Sequence, residues 1–310
     1  MPDTLVVNEI YLSLQGESTF AGLPCVFVRL TACNLRCSYC DTAYAFAEGR
    51  KRSLAEVRAE VLRLAEPFGR GQSTVHSPPA FAEASAGAQS TRLRRGFGGQ
   101  AVHGPQSPDP SFILHPSSMP RGEDGGRNGD PCVRATGLAK PRLPLVELTG
   151  GEPLLQSSSL PLMRALCDDG FTVLLETSGA LDLSLVDPRV RRIMDLKCPS
   201  SGEAGRNRWE NLACLGSTDE IKFVIGTVED YQWAKAAVLD RRLAGICPLL
   251  FSWVHPLAPE QAHPSLKPVP PGQAPLSRTE LAERIIADGL PVRFQVQLHK
   301  LLWPAQQRGV

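Results

Sequence analysis

The sequence contains no run of 18 apolar residues, and its 33 Lys and Arg residues almost balance its 32 Asp and Glu residues. A transmembrane helix needs about 20 consecutive apolar residues, and a nucleic-acid-binding domain usually carries a basic excess. We therefore predict no membrane span and no nucleic-acid partner. The chain also does not open with a basic segment followed by an apolar stretch, as a secretory signal does, so we expect a cytoplasmic protein.

One internal segment differs in composition from the rest of the chain. Of the 76 residues in 67–142, 22 are Gly or Pro, and no helical or strand period runs through them. This composition predicts a disordered insertion. The expected ordered domain therefore comprises residues 1–66 and 143–304, followed by a C-terminal tail at 305–310.

Outside this segment, short apolar runs alternate with helical patterns. The predicted strands are Cys25–Leu30, Leu145–Leu148, Thr172–Leu175, Arg192–Leu196, Glu220–Ile225, Pro248–Val254 and Val292–Gln297. The predicted helices are Ser53–Ala65, Ser159–Asp169, Val228–Asp240 and Arg278–Asp288. Strands separated by helices pair in parallel through right-handed crossovers. The pattern predicts an α/β fold of the partial (β/α) TIM-like barrel type, with chemistry at the carboxyl ends of the strands.

Three of the nine cysteines lie within eight residues, in TACNLRCSYCDT. Cys33, Cys37 and Cys40 have the spacing CxxxCxxC and follow the first predicted strand, so one loop can wrap three thiolates around a 4Fe-4S cluster and leave one iron open. A zinc site would need a fourth Cys or His. Zinc and simple buried thiols remain as less favoured alternatives.

The cysteine spacing, with an aromatic residue before the last Cys, resembles the radical S-adenosylmethionine (SAM) superfamily. The resemblance implies that SAM chelates the open iron and that its reductive cleavage yields a 5′-deoxyadenosyl radical. Tyr39 is expected near the adenine. The segments ELTGGEP, ETSG and DLK, each at the end of a strand, resemble further SAM contacts of the superfamily, which implies roles for Gly151, Glu176, Asp195 and Lys197.

Other segments narrow the resemblance. EIYLSLQGES, VFVRLTACN, the CDT after the last Cys, and QVQLHKLLWP are together similar to the 7-carboxy-7-deazaguanine synthase family of queuosine biosynthesis. The resemblance implies a lyase that converts 6-carboxy-5,6,7,8-tetrahydropterin to 7-carboxy-7-deazaguanine with loss of ammonia. It also implies a homodimer that takes its electron from a reductant such as flavodoxin or ferredoxin.

A pterin with a carboxylate needs fixed amide groups, one acidic acceptor and one cation. The family resemblance assigns substrate contacts to Leu14, Gln15, Gly16, Glu17, Arg29, Thr149 and Pro304. Within this set Glu17 is the expected acceptor for the exocyclic amino group, and Arg29 is the expected fork for the carboxylate. The tail after Pro304 weakens the assignment of a substrate contact to Pro304.

Two further site residues are expected from the same resemblance. The hydroxyl of Thr42, two residues after the last Cys, is the expected protein ligand of Mg²⁺, an ion that keeps several waters and recruits substrate oxygens. Ser252, in LLFSWVHP, is the expected SAM contact near the end of the chain.

Two alternative functions stay open at this point. The chain could be a different radical SAM enzyme, such as an activase that installs a glycyl radical on a protein. It could also be an electron-transfer protein that holds a 4Fe-4S cluster without radical chemistry. LQGE, Arg29 and CDT argue against the first alternative, and the second leaves GGEP and DLK without a role.

Overall fold

The computed structural model describes residues 3–69, 142–304 and 307–310. Within these residues, nine strands form one mixed sheet in the order β3-β1-β2-β4-β5-β6-β7-β8-β9. The strands are β1 (Thr4–Leu14), β2 (Pro24–Leu30), β3 (Arg50–Ser53), β4 (Leu145–Gly150), β5 (Val173–Thr177), β6 (Arg191–Leu196), β7 (Glu220–Ile225), β8 (Leu249–Trp253) and β9 (Arg293–Gln295). The strands β3 and β9 form the two edges, so the sheet is not closed into a barrel.

The sheet has a parallel body and an antiparallel edge. From β2 through β4 to β9, every neighbouring pair is parallel. The strands β1 and β3 run antiparallel to their neighbours. The carboxyl ends of seven strands therefore meet at one edge of the sheet, as the predicted α/β architecture requires.

The four longer helices pack on the outer face of this sheet, and a short fifth helix lies at the pocket. They are α1 (Leu54–Gly69), α2 (Ser159–Asp168), α3 (Val228–Asp240), α4 (Arg278–Ala287) and the short α5 (His299–Leu302). The first turn of α1 is fixed by a reciprocal cap, because the Ser53 backbone N–H donates to the Glu56 carboxylate at 2.7 Å and the Glu56 N–H donates to the Ser53 hydroxyl at 3.2 Å. The apolar faces of the longer helices pack on β-branched and leucine side chains of the strands to form the main core.

The inner face changes character along each strand. Alternate side chains of a strand point to the same face. At the amino ends these are apolar and form a small second core of Cys25, Phe27, Leu145, Leu174 and Ile193. Two residues further along, the same face carries polar side chains, namely Arg29, Glu147, Glu176 and Asp195. The pleat thus places a polar floor at the carboxyl end of the sheet.

The observed elements follow most of the predicted ones. The predicted bounds of β7 and α3 are confirmed, and the other predicted elements differ by a few residues at their ends. Helix α1 continues to Gly69, three residues into the segment assigned to the insertion, and includes Pro67 in its last turn. The rest of the predicted insertion, up to Pro141, lies outside the described residues. The sequence pattern did not predict β1, β3 or α5.

None of the helices in the described ranges has the length and apolar character that a bilayer span requires.

The core of the parallel sheet is expected to control the stability of the fold. Leu148, in the central strand β4, is fully buried. We expect Leu148→Ala to lower the free energy of unfolding by about 2–5 kcal/mol, because the substitution removes buried methyl groups and leaves a cavity. Leu185→Ala is the matched control, since that side chain is 70% exposed and should change stability by less than about 0.5 kcal/mol. Urea denaturation measures both, and equal effects would contradict this packing.

Candidate active site

One pocket opens at the carboxyl edge of the sheet. The residues assigned from the sequence that line it are Leu14, Gln15, Gly16, Glu17, Arg29, Cys33, Cys37, Tyr39, Cys40, Thr42, Thr149, Gly151, Glu176, Asp195, Lys197 and Ser252. The fold thus brings together side chains from six strands and from the cysteine loop. Pro304 is not among the lining residues, whereas Gln307–Val310 of the tail are.

The cysteine loop follows β2 and carries three free thiols. Cys33, Cys37 and Cys40 form no disulfide. Burial raises the pKa of each thiol, to about 12 for Cys37, while the nearby charge of Lys197 opposes this rise. Lys197 therefore supplies the positive charge that favours thiolate ligands here.

The glycines of GGEP fit closely against this loop. A Cβ on Gly151 would lie 2.0 Å from the carbonyl oxygen of Ala32 and 2.9 Å from the Cβ of Cys33. The backbone N–H of Glu152 donates to the same carbonyl at 2.9 Å. The close approach of β4 to the loop therefore requires glycine at position 151, which explains the motif in physical terms.

The residues present fit a 4Fe-4S cluster with SAM. Three thiols on one loop can ligate three corners of a cuboidal cluster. Within the described residues, Asp195 Oδ1 and the Tyr39 hydroxyl are buried without a hydrogen-bond partner, and a nucleoside ligand has the polar groups to satisfy them. Among the described residues, no three His, Cys, Asp or Glu side chains are grouped to hold a single metal ion.

Arg29 is fixed on β2 by residues of the neighbouring strand. Its Nε donates to Glu9 Oε1 at 2.7 Å, and its Nη2 donates to the Tyr11 hydroxyl at 2.9 Å. Tyr44 also donates to Glu9, at 3.1 Å. These contacts hold the guanidinium rigidly at the pocket wall, where a planar fork suits a carboxylate.

The C-terminal segment forms another part of the pocket wall. The backbone N–H of Leu298 donates to the carbonyl of Gly16 at 2.9 Å, and Gln297 Nε2 donates to Glu17 Oε1 at 2.7 Å. Lys300 forms an ion pair with Asp41 at 2.5 Å. The segment therefore ties the loop after β1 to the cysteine loop.

Sequence reasoning missed two charged residues in the floor of the pocket. Glu147 is the first residue of ELTGGEP, and its carboxyl accepts a hydrogen bond from Gln15 Nε2. Lys222 lies in the middle of β7, is 3% exposed, and contacts Glu17 and Glu176. The signal was available, because a lysine inside an apolar strand run is rarely buried without partners.

Two known proteins are similar to this chain along almost its whole length. The chain is 34% identical to the 7-carboxy-7-deazaguanine synthase of Koribacter versatilis, over 98% of this chain and 99% of that protein. It is 33% identical to the enzyme of the same name from Chlorobaculum tepidum, over 99% of this chain and 97% of that protein.

This chain belongs to the 7-carboxy-7-deazaguanine synthase family. It is therefore a radical SAM enzyme, and the family excludes the activase and electron-transfer alternatives. The crystal structure of QueE from Escherichia coli has a similar fold, with a TM-score of 0.50 and 18% identity over 95% of this chain and 94% of that one. No family model matches the sequence.

The glycine at position 151 provides a test of the cofactor site. We expect Gly151→Ala to fold but to lose most of its reconstituted cluster, because the new methyl group would displace the backbone of Ala32 and the Cys33 side chain. Iron and sulfide content and the absorbance of the cluster near 400 nm measure the loss. Gly205→Ala is the matched control, since a Cβ there meets no atom within 4 Å. Full cluster content in Gly151→Ala would contradict the assigned contact.

Proposed function

We propose that this enzyme converts 6-carboxy-5,6,7,8-tetrahydropterin to 7-carboxy-7-deazaguanine with loss of ammonia. The observation that carries the proposal is the lining of one pocket by two groups of residues. The cysteine loop and the glycines of GGEP line the same pocket as Arg29, Gln15 and Glu17. A substrate bound in this pocket would lie within reach of both sets of residues.

The cofactor side would be held by the cysteine loop and three strand ends. Cys33, Cys37 and Cys40 would ligate the cluster, while Gly151 and Ser252 would contact SAM together with Tyr39, Glu176, Asp195 and Lys197. The reduced cluster and SAM, when bound, supply the radical that abstracts hydrogen from the pterin C6. Lys197 is paired with Asp195 at 2.8 Å, which keeps both side chains oriented toward the pocket.

The substrate side is suited to a carboxylated pterin. Arg29 would bind the carboxylate, because within the described residues its Nη1 makes no hydrogen bond and its Nη2 makes one, to Tyr11, so that donors on both nitrogens remain for a fork. Glu17 would accept from the exocyclic amino group. Burial raises the pKa of Glu17, but the Lys222 charge and the hydrogen bonds from Lys222 and Gln297 together outweigh burial and bring the pKa to about 2, so this acceptor is ionised at neutral pH. Leu14, Gly16 and Thr149 complete the contacts.

Mg²⁺ is the third cofactor of the proposal. The Thr42 hydroxyl lines the pocket 3.7 Å from Cys40 Sγ and would supply the protein ligand of the ion. Asp41 is held by Lys300, so waters and substrate oxygens would supply the other ligands. We also propose a cytoplasmic homodimer that receives its electron from a flavodoxin or ferredoxin.

Product formation tests the function directly. The full chain is reconstituted anaerobically with iron and sulfide, reduced, and given Mg²⁺, 6-carboxytetrahydropterin and SAM at less than one equivalent per substrate. We expect several turnovers per SAM, detected as the mass of the deazaguanine product. A Cys37→Ser variant is the control and should form none. If the wild type yields 5′-deoxyadenosine but no deazaguanine, the substrate assignment is wrong.

Arg29 provides a test of the substrate side alone. We expect Arg29→Ala to keep its cluster and its uncoupled SAM cleavage while its KM for the pterin rises about 10- to 100-fold, because a charge-assisted fork is lost. Arg58→Ala, which removes a half-exposed arginine paired with Asp169, is the matched control. An unchanged KM in Arg29→Ala would show that the substrate carboxylate binds elsewhere.

A further inference from the structure

Lys222 is surrounded by carboxylates from three different parts of the chain. Its Nζ lies 2.6 Å from Glu17 Oε2, forms an ion pair with Glu176 Oε1, and lies 3.9 Å from Asp195 Oδ2. Glu17 follows β1, whereas Glu176 and Asp195 stand on β5 and β6. A single ammonium group therefore joins the loop after β1 to the parallel body of the sheet.

The charges in this cluster are fixed by burial and pairing. Burial lowers the pKa of Lys222, but the charges of Glu17 and Glu176 raise it well above the usual lysine value. A buried ammonium ion is stable only when it is paired and hydrogen-bonded. Lys222 therefore stays charged and keeps its two nearest carboxylates in place.

Glu147 is buried in the same floor, and within the described residues no ion pair joins it to Lys222. It is 1% exposed, and Gln15 Nε2 donates to its carboxyl. Burial, followed by the charges of Glu176 and Glu17, raises the pKa of Glu147 well above the usual value. Burial also raises the pKa of Glu176, although Glu176 contacts Lys222. Of these three carboxyls, Glu17 is the one whose pKa lies below the usual value.

We propose that Lys222 is a positioning residue for substrate binding, which holds the Glu17 carboxylate as a preset acceptor and is itself anchored by Glu176 on β5. The inference rests on the proposed function, because an aminopyrimidine ring presents N–H donors that such an acceptor recognises. Lys222 acts through Glu17 and does not itself need to contact the pterin. A preset acceptor strengthens binding because the ligand does not have to order it.

Removal of the ammonium group is the first test. We expect Lys222→Met to weaken pterin binding by at least about tenfold, measured by calorimetry on the cluster-loaded, unreduced protein. The KM for the pterin should rise more than kcat falls. Lys235→Met is the matched control. Lys235 lies on α3, outside the pocket lining, and pairs with Asp288 at 2.8 Å. Unchanged pterin affinity in Lys222→Met would overturn the proposal.

A double-mutant cycle separates positioning from a general loss of stability. Glu17→Gln removes the acceptor charge, and Lys222→Met/Glu17→Gln also removes one of the two carboxylates that Lys222→Met leaves unpaired. If Lys222 acts through Glu17, the double variant loses less pterin affinity than the product of the two single effects predicts. Independent, multiplicative effects would overturn the proposal. Where Lys222→Met alone folds too poorly to measure, the double variant is compared with Glu17→Gln: equal pterin affinity is expected, and a further loss of about tenfold would overturn the proposal.

The wild type distinguishes failure of this inference from failure of the proposed function. A wild type that does not bind the pterin removes both the function and the role of Lys222. If the wild type binds and converts the pterin while Lys222→Met binds it equally well, the function stands and only the role of Lys222 is wrong.

Discussion

The site depends on the need to neutralise charges on the inner face of a parallel sheet. The pleat points every second side chain inward, so polar residues at the carboxyl ends of β2, β4, β5, β6 and β7 meet in one small volume. Charges there are stable only in pairs. Arg29 is matched by Glu9, Lys197 by Asp195, and Lys222 by Glu17 and Glu176. These pairs determine which groups remain for a ligand.

A second constraint is the distance between β4 and the cysteine loop. The carbonyl of Ala32 accepts a hydrogen bond from the N–H of Glu152. The two backbone segments then lie so close together that no side chain fits at Gly151. The glycine motif and the cysteine motif, separated by more than 100 residues in the chain, therefore form one structural unit. The length of chain between the two motifs does not matter for this contact, because β2 and β4 pair directly in the sheet.

Much of the fold could be predicted from the sequence because its strands and helices are marked by local sequence patterns. Apolar runs between capped helical patterns predicted the parallel strands, and the Ser53–Glu56 cap predicted the start of α1. The antiparallel β1 was not predicted, since its inner side chains are polar and only partly buried along most of its length. The short β3 has two exposed residues and owes its pairing to β1.

Site residues that belong to a sequence motif could be predicted. Site residues whose role depends on ion pairs with distant residues could not. The residues of the cysteine, LQGE and GGEP motifs line the pocket, whereas the ligand contacts assigned to them stay predictions. The role of Lys222 follows from contacts with residues 205 and 46 positions away, which no local pattern reveals. Similarly, the tail was expected to disturb the Pro304 contact, and it is Gln307–Val310 that line the pocket.

The proposed reaction requires cluster, SAM and pterin to occupy one pocket, with the pterin C6 next to the adenosyl group. Turnover of pterin deuterated at C6, with unlabelled SAM and the full chain, tests this most directly. We expect deuterium at the 5′ carbon of recovered SAM or 5′-deoxyadenosine, because hydrogen would pass directly between the two bound molecules. Product formation with all of the deuterium released to solvent would contradict it.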